Sequence, residues 1–155
     1  PIISYNYGAG NVERVKKAFQ HLLAAAMVFT VVGAGSFLLF PGLFVSLFSS
    51  DPEIIRVASH GMRIYFLGFT IFGAQMACQQ TFLALGEAKI SVFLAMLRKI
   101  VLLIPLAIIL PRLGLSTTGL FLAEPISDVL AVVTTVVMFK LNFSKILAKA
   151  GAQKA

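Results

Sequence analysis

Two acidic residues, Glu124 and Asp128, lie one helical turn apart within the last long apolar stretch of the sequence. Residues at positions i and i+4 share one face of a helix, and Pro125 between them leaves the carbonyl of Phe121 without its usual helical donor. A carboxylate near the middle of a bilayer costs about 2.5–3.5 kcal/mol to insert. We therefore expect this face to point inward and to find a compensating partner.

Arg98 is the basic residue best placed to compensate these acids. It lies as many residues before Pro111 as Asp128 lies after Leu115. If the chain turns between Pro111 and Leu115, both side chains lie about 20 Å below that turn at a helical rise of ~1.5 Å per residue. We interpret Arg98, Glu124 and Asp128 as one intramembrane charge network whose occupancy by a proton or a cation changes as the protein works.

Two interpretations of this network are open. A fixed structural ion pair is the simpler one for Asp128, because an arginine–aspartate pair between two helices is stable without any further role. Glu124 is the better candidate for exchange, since two carboxylates beside one arginine cannot both ionise cheaply at low dielectric. One of them should then hold a proton or a cation. Lys99 should point about 100° away from Arg98 on an α-helix, so it is assigned no role.

The composition is that of an integral membrane protein. Of 155 residues, 59% are hydrophobic and only 12% are charged, against about 25% charged residues in an ordinary soluble domain. The single cysteine, Cys78, excludes an internal disulfide and a multi-cysteine metal site. We find no Ser–His–acid set, no metal-ligand spacing and no nucleotide-binding loop. The sequence therefore predicts no enzyme activity, no metal and no cofactor.

Four apolar stretches separated by short polar joints predict an all-α membrane bundle with four transmembrane helices. Pro41 should kink or end the regular part of the first helix, and Ser50 or Asp51 should cap the second. The predicted segments are the end of a preceding helix and a cytoplasmic loop at 1–19, transmembrane helices at 20–48, 52–85, 88–111 and 115–140, and a basic tail at 141–155. Since the chain starts at Pro1 with an apolar element, we expect a C-terminal fragment.

Basic residues are distributed unequally between the two predicted sides. Ten lie on one side, namely Arg14, Lys16, Lys17, Lys89, Arg98, Lys99, Lys140, Lys145, Lys149 and Lys154. The other side receives three, Arg56, Arg63 and Arg112. This asymmetry predicts that the first side, with the C-terminus, is cytoplasmic. The net charge of +7 is accounted for by topology and anionic headgroups, so no nucleic-acid partner is expected.

The second predicted helix carries amides instead of acids. Gln75 and Gln79 lie one turn apart on one face. Amides within a membrane helix need a neighbouring helix or a water-filled cavity as partner. Hydrogen bonding between helices is the simpler interpretation, and lining a substrate cavity is the alternative.

Several short motifs resemble one known family of transporters. The start, PIISYNYGAGN followed by ERVKKAF, resembles the loop after the second helix of each half in multidrug and toxic compound extrusion (MATE) transporters. The joints LFSSDPE and ALGEAK resemble the family's next outer and inner loops. Arg98 with IPL, and Glu124-Pro-Ile-Ser-Asp128, resemble its last two helices. The motifs occur in the family's order and cover essentially the whole sequence.

This resemblance implies most of the C-terminal lobe of a twelve-helix, two-lobed exporter in the bacterial cell membrane. Such proteins expel cationic or amphipathic drugs and metabolites in exchange for H⁺ or Na⁺, so the implied partners are the lipid bilayer, the missing N-terminal lobe and small organic cations. The family's best-known coupling carboxylates lie on helices absent here or on its tenth helix, which in this sequence has no acid at 64–85. A lipid-linked oligosaccharide flippase of the same superfamily and a structural membrane subunit are the alternatives.

Overall fold

The computed structural model describes residues 1–152 of the chain and its side chains through residue 149, and in this range the chain forms helices joined by short turns. The helices are α1 Ile2–Gly8, α2 Val12–Leu39, α3 Pro41–Ser46, α4 Pro52–Phe69, α5 Phe72–Ala84, α6 Ala88–Met96, α7 Ile104–Leu110 and α8 Ser116–Ala152. A π-helical segment, Leu97–Leu103, joins α6 to α7. They make four long passes, formed by α2, by α4 with α5, by α6 with α7, and by α8.

The first pass begins earlier than the expected residue 20. Gly10 adopts a left-handed conformation (φ 70°), which ends the turn after α1 and lets α2 begin at Val12. Glu13 lies in the first turn, where a negative charge complements the helix dipole. At the other end Pro41 disfavours helical geometry at Phe40, so α2 ends at Leu39 as the proline predicted.

The second pass is two helices instead of the single helix expected over 52–85. Its start is as predicted, because the Asp51 carboxylate accepts the backbone N–H groups of Glu53 and Ile54. The break follows α4, where the Thr70 hydroxyl donates to the Leu67 carbonyl at 2.8 Å. A side-chain hydrogen bond of this kind competes with the backbone hydrogen bonds of the helix. Next to it, the Ile71 N–H bonds the Gly68 carbonyl three residues earlier, which tightens the last turn.

The third pass contains the π-helical segment, which is not evident from the sequence. Pro105 has no N–H for the carbonyl one turn earlier, and its ring would collide with that carbonyl in a regular α-helix. A single wide π turn before the proline accommodates both effects. The chain then reverses at Leu113 and Gly114, the latter with φ 90°.

The fourth pass is one helix of 37 residues, about 55 Å long at 1.5 Å per residue, and it continues past the expected end at residue 140. Pro125 lies inside it without ending it. The expected basic tail is therefore helical as far as Ala152. Lys154, the last of the ten basic residues counted above, lies outside the described residues.

Helix α8 is the centre of the bundle and packs against α4, α5, α7 and the π-helical segment. Gly61 and Gly68, two turns apart on α4, let α8 approach closely. A Cβ atom on Gly68 would lie 2.6 Å from the Pro125 Cα atom. Small residues at such contacts are typical of helix packing in membranes.

Two stretches of the described chain are long and apolar enough to cross a bilayer, Val12–Leu39 and Ala88–Lys149. The second stretch includes the reversal at Gly114, so it makes two passes rather than one. A buried apolar cluster lies where α1, α2, α5, α6 and the C-terminal half of α8 meet, and it includes Phe82, Leu94 and Phe139. We call the end of the bundle that contains this cluster the basic end, because lysines surround it.

Candidate functional site

The predicted charged residues come together midway along the bundle, where α8 crosses the π-helical segment. Arg98 Nε lies 2.6 Å from Asp128 Oδ1, and Arg98 Nη2 lies 2.9 Å from Glu124 Oε1. The guanidinium therefore bridges two carboxylates one helical turn apart. The pairing of Arg98 with Asp128, expected from their matching depth, and its contact with Glu124 one turn away are both present in the structure.

Lys99 also joins this network, contrary to expectation. Its Nζ lies 3.4 Å from Glu124 Oε1, the same oxygen that Arg98 contacts. The angle between neighbouring residues of an α-helix would separate the two side chains, but both belong to the π-helical segment. Its wider turn lets neighbouring residues face the same partner helix.

Charges within the network are balanced. Two carboxylates, Glu124 and Asp128, face two cations, Arg98 and Lys99. With a single arginine beside two acids, one acid was expected to hold a proton or a cation. With Lys99 in the network, the two acids face two cations, so charge balance by itself no longer calls for a bound proton or cation.

The two acids differ in exposure and in their partners. The Asp128 side chain is 1% exposed, and Asp128 Oδ2 has no hydrogen-bond partner. The Glu124 side chain is 9% exposed and shares its oxygen with Lys99, whose side chain is 55% exposed. Asp128 is thus enclosed and held by Arg98, whereas Glu124 has one partner that is half exposed at the surface of the bundle. Glu124 is the acid that can change partners at lower cost.

Neighbouring side chains fix the orientation of Arg98. The Ser127 hydroxyl donates to the Arg98 carbonyl at 3.0 Å, which ties α8 to the backbone of the π-helical segment. The ring of Phe72 lies under the guanidinium, 4.3 Å from its centroid to the Cζ atom, as a cation–π contact. Tyr65 on α4 lies close to Glu124. The position of Ser127 between the two acids was a signal for its role, whereas nothing in the sequence singled out Phe72.

Gln75 and Gln79, the two residues predicted to line a cavity, have different hydrogen-bond partners. The Gln79 side-chain amide donates to the Ser91 carbonyl at 3.2 Å, and the Ser91 hydroxyl donates to the Gln79 carbonyl at 3.4 Å. Gln79 therefore joins α5 to α6, as the simpler interpretation predicts. Gln75 is 1% exposed, and its Oε1 atom has no hydrogen-bond partner. A role for Gln75 in a substrate cavity stays a prediction.

The arrangement is a network of four charged side chains, two acidic and two basic. Among the described residues, no three His, Cys, Asp or Glu side chains converge. A proton or a monovalent cation at Glu124 would replace one of its two cationic partners. Such a replacement changes the contacts between α8 and the third pass, which is the chemistry that this site can perform.

Comparisons with known proteins identify the architecture. The sequence model of the MatE family matches residues 1–109. Arg98 lies within that match, whereas Glu124 and Asp128 lie beyond it. No curated protein sequence matches the chain.

Solved structures match over almost the whole chain. The structure of the MATE multidrug transporter DinF-BH, solved in complex with a ligand, is 32% identical, with a TM-score of 0.83, and the match covers 89% of this chain and 31% of that one. An inward-facing multidrug resistance MATE transporter of the MOP superfamily is 20% identical, with a TM-score of 0.83 over 94% of this chain and 34% of that one. The chain therefore spans about a third of the length of these proteins.

Proposed function

Because the chain belongs to the MatE family, we propose that it forms part of a secondary active efflux transporter that exports cationic or amphipathic organic compounds in exchange for H⁺ or Na⁺. One observation carries the proposal, namely the buried network in which Arg98 bridges Glu124 and Asp128. A charge-balanced network between two helices can link ion binding to a change in helix packing. The remaining two thirds of such a transporter would come from outside this chain.

Asp128 and Glu124 have different roles in this proposal. Asp128 stays paired with Arg98 and holds α8 against the π-helical segment throughout the cycle. Removing either member of an enclosed pair leaves an uncompensated charge, so this contact is expected to persist. The contact between Arg98 and Asp128 is therefore the point about which α8 and the π-helical segment can move relative to each other.

Glu124 is the exchanging group. When it binds a proton or a cation, its attraction for Lys99 and Arg98 weakens, and Lys99 can turn away from it because the lysine side chain is already half exposed at the surface of the bundle. Arg98 keeps Asp128 as its partner. The exchange therefore weakens both ion pairs that Glu124 makes with the third pass, whereas the pair between Arg98 and Asp128 persists, which biases the bundle between two packing arrangements.

Orientation in the bilayer follows from the basic residues. Arg98 and Lys99 are paired with the acids of the network, so they are removed from the ten counted on that side, which leaves eight against three. The excess remains on the side of the C-terminus. We propose that this end faces the cytoplasm of a cell whose inner membrane holds the protein.

Dye efflux tests the proposal. Drug-sensitive cells expressing the protein from its native gene are loaded with a fluorescent cationic dye such as ethidium, and dye loss is followed with and without a protonophore or external Na⁺. We expect the wild type to export the dye and Glu124→Gln to reach the membrane at a normal level yet export at least about tenfold more slowly. Asp128→Asn should reduce both export and the amount of folded protein.

Glu13→Gln is the matched control, since Glu13 is an exposed acid whose contact with Lys16 lies outside the network. It should export normally. Normal export by Glu124→Gln would contradict the exchange role. A wild type that retains every cationic dye but moves lipid-linked oligosaccharide would favour the flippase alternative, and one that moves neither would favour a structural subunit.

A further inference from the structure

Two buried oxygen atoms beside the charge network have no hydrogen-bond partner. One is Asp128 Oδ2, on the carboxylate whose other oxygen contacts Arg98, and the second is Gln75 Oε1 on α5. Both residues are 1% exposed, so the helices of this chain already enclose them and a segment outside the chain does not reach them. Leaving a buried polar atom unpaired is costly, and nearly all such atoms in proteins bind another group or an ordered water. These two oxygens therefore call for a donor from within the bundle.

Contacts between the second pass and α8 give the level of Gln75 along the bundle. A Cβ atom on Gly68 would lie 2.6 Å from the Pro125 Cα atom, and Phe82 meets Phe139 with ring centroids 5.2 Å apart. Phe82 lies as far after Gly68 as Phe139 lies after Pro125, so the two passes run side by side in the same direction. Gln75 is midway between Gly68 and Phe82. It therefore lies level with the middle of the facing stretch of α8.

The neighbours of Gln75 along α5 show that it faces the third pass. Phe72, one turn before it, contacts the Arg98 guanidinium, and Gln79, one turn after it, bonds Ser91. Side chains on a helix lean towards its N-terminus, and the N-terminal end of α5 is the end nearest the network. The Gln75 side chain is thus directed towards the place where the second pass, the third pass and α8 meet.

The separation between the two residues suits one small bridging molecule. The level of Gln75 on α8 is Val132, which follows Asp128 by one helical turn, about 6 Å. Two hydrogen bonds from one water, each about 2.8 Å long, join oxygens up to about 5.5 Å apart. Ala131, on the same side of α8 as Asp128, is 1% exposed and has only a methyl group, which takes up little space. Thr135 Oγ1 also has no partner, but it lies two turns from Asp128, too far for the same molecule.

The chemistry of the two oxygens selects a neutral donor. A carboxylate oxygen and an amide oxygen only accept hydrogen bonds, so the ligand must donate two or carry a positive charge. The Arg98 guanidinium, 2.6 Å from the other oxygen of Asp128, would repel a cation at Oδ2. Hard metal cations also take about six oxygen ligands, more than these two side chains supply. A water molecule donates two hydrogen bonds without adding charge, as buried waters in proteins do.

We propose that one ordered water molecule lies between α5 and α8, where it donates one hydrogen bond to Asp128 Oδ2 and the other to Gln75 Oε1. Gln75 is then a positioning residue, because it holds the second oxygen of Asp128 through the water while Arg98 holds the first. This role differs from lining a substrate cavity. It does not depend on the ion exchange at Glu124.

A structure of the protein expressed from its native gene, determined at a resolution that shows ordered water, tests the assignment directly. We expect a density peak at hydrogen-bond distance, about 2.7–3.0 Å, from both oxygen atoms. A peak at the shorter distances typical of metal–oxygen bonds, about 2.0–2.6 Å, would identify a cation and overturn the assignment. The absence of a peak, or a direct hydrogen bond between the Gln75 amide and Asp128, would overturn it as well.

Melting temperatures of the same protein test whether Gln75 acts through Asp128. Gln75→Met keeps the length of the side chain but removes the acceptor, and we expect the melting temperature to fall by about 2–4 °C. In the Arg98→Ala/Asp128→Ala background the water has no carboxylate to bind, so the same substitution should have at most about half that effect. Gln80→Met, at an exposed neighbour on α5, is the matched control and should have no effect in either background. An equal effect of Gln75→Met in both backgrounds contradicts the bridge, and the wild-type structure decides the question if the background variant does not fold.

Discussion

Helix α8 takes part in two clusters that are stabilised in opposite ways. Midway along the bundle, its acids form the charge network with Arg98 and Lys99. At the basic end, Phe139 on the same helix stacks on Phe19 with ring centroids 4.5 Å apart and meets Phe82 edge-on at 5.2 Å. About 16 Å of helix separates Asp128 from Phe139 at 1.5 Å per residue.

The two clusters differ in what a small displacement costs. Aromatic rings in contact lose dispersion attraction gradually as they slide, and no charge is left exposed. The charge network instead depends on a few short, directional contacts between enclosed groups, so a lost partner has a large effect. The aromatic cluster is therefore suited to hold the helices together in any state, and the charge network to distinguish between states.

Replacing Arg98 tests this difference most severely. Arg98→Ala leaves Asp128 enclosed without a cation, which is expected to destabilise the folded protein by about 3–5 kcal/mol. Thermal stability measured by fluorescence-detected size-exclusion chromatography should fall sharply, while Arg112→Ala, in the exposed turn, should leave it unchanged. Adding Asp128→Ala to Arg98→Ala should recover part of the loss. If Arg98→Ala were as stable as Arg112→Ala, the network would contribute little to stability.

Replacing Phe82 tests the aromatic cluster. Its side chain is fully buried, so Phe82→Ala leaves a cavity. In lipid the apolar transfer contribution is small, and the lost packing alone is expected to destabilise the protein by about 2–3 kcal/mol. Dye export per folded molecule should nevertheless remain normal, unlike in Glu124→Gln. Leu83→Ala, at an exposed neighbour, is the control, and a specific loss of export in Phe82→Ala would break the proposed division between the clusters.

Gly68 connects the charge network to the packing of α4. A Cβ atom there would lie 2.6 Å from the Pro125 Cα atom and 3.0 Å from the Asp128 Cβ atom. Gly68→Ala must therefore push α4 away from α8, and we expect a loss of about 1–2 kcal/mol. At Gly33 an added Cβ meets nothing within 4 Å, so Gly33→Ala should stabilise α2 slightly. The paired melting temperatures check this, and a change of the same sign in both variants would contradict it.

The sequence was informative where one residue type has a single local consequence. Pro41 ended α2, Asp51 capped α4, and the shared depth of Arg98 and Asp128 predicted their contact. An enclosed carboxylate in an apolar helix needs a cation, and few were available. The family resemblance agrees with the MatE match over residues 1–109.

Features that depend on contacts between passes were not predictable in this way. The break at Thr70 and the π turn before Pro105 change the direction in which side chains point, and hydrophobic periodicity cannot detect either when a helix is apolar on every side. The π turn is the reason why Lys99 was excluded from the network. Phe72 shows the same limit, because its contact with Arg98 depends on how α5 packs.

Lys99 gives the smallest expected effect and the sharpest test of the network. Its contact with Glu124 is long, at 3.4 Å, and its side chain is half exposed, so Lys99→Ala should cost only about 0.5 kcal/mol. That cost should vanish in a Glu124→Gln background, because an uncharged amide no longer attracts the ammonium. Lys89→Ala, at an exposed position on α6, should behave identically in both backgrounds. Melting temperatures of the four combinations of Lys99 and Glu124 variants give the coupling directly. If Lys99→Ala costs the same in the wild-type and Glu124→Gln backgrounds, Glu124 depends on Arg98 alone. The exchange of partners by Glu124 would then have to involve Arg98.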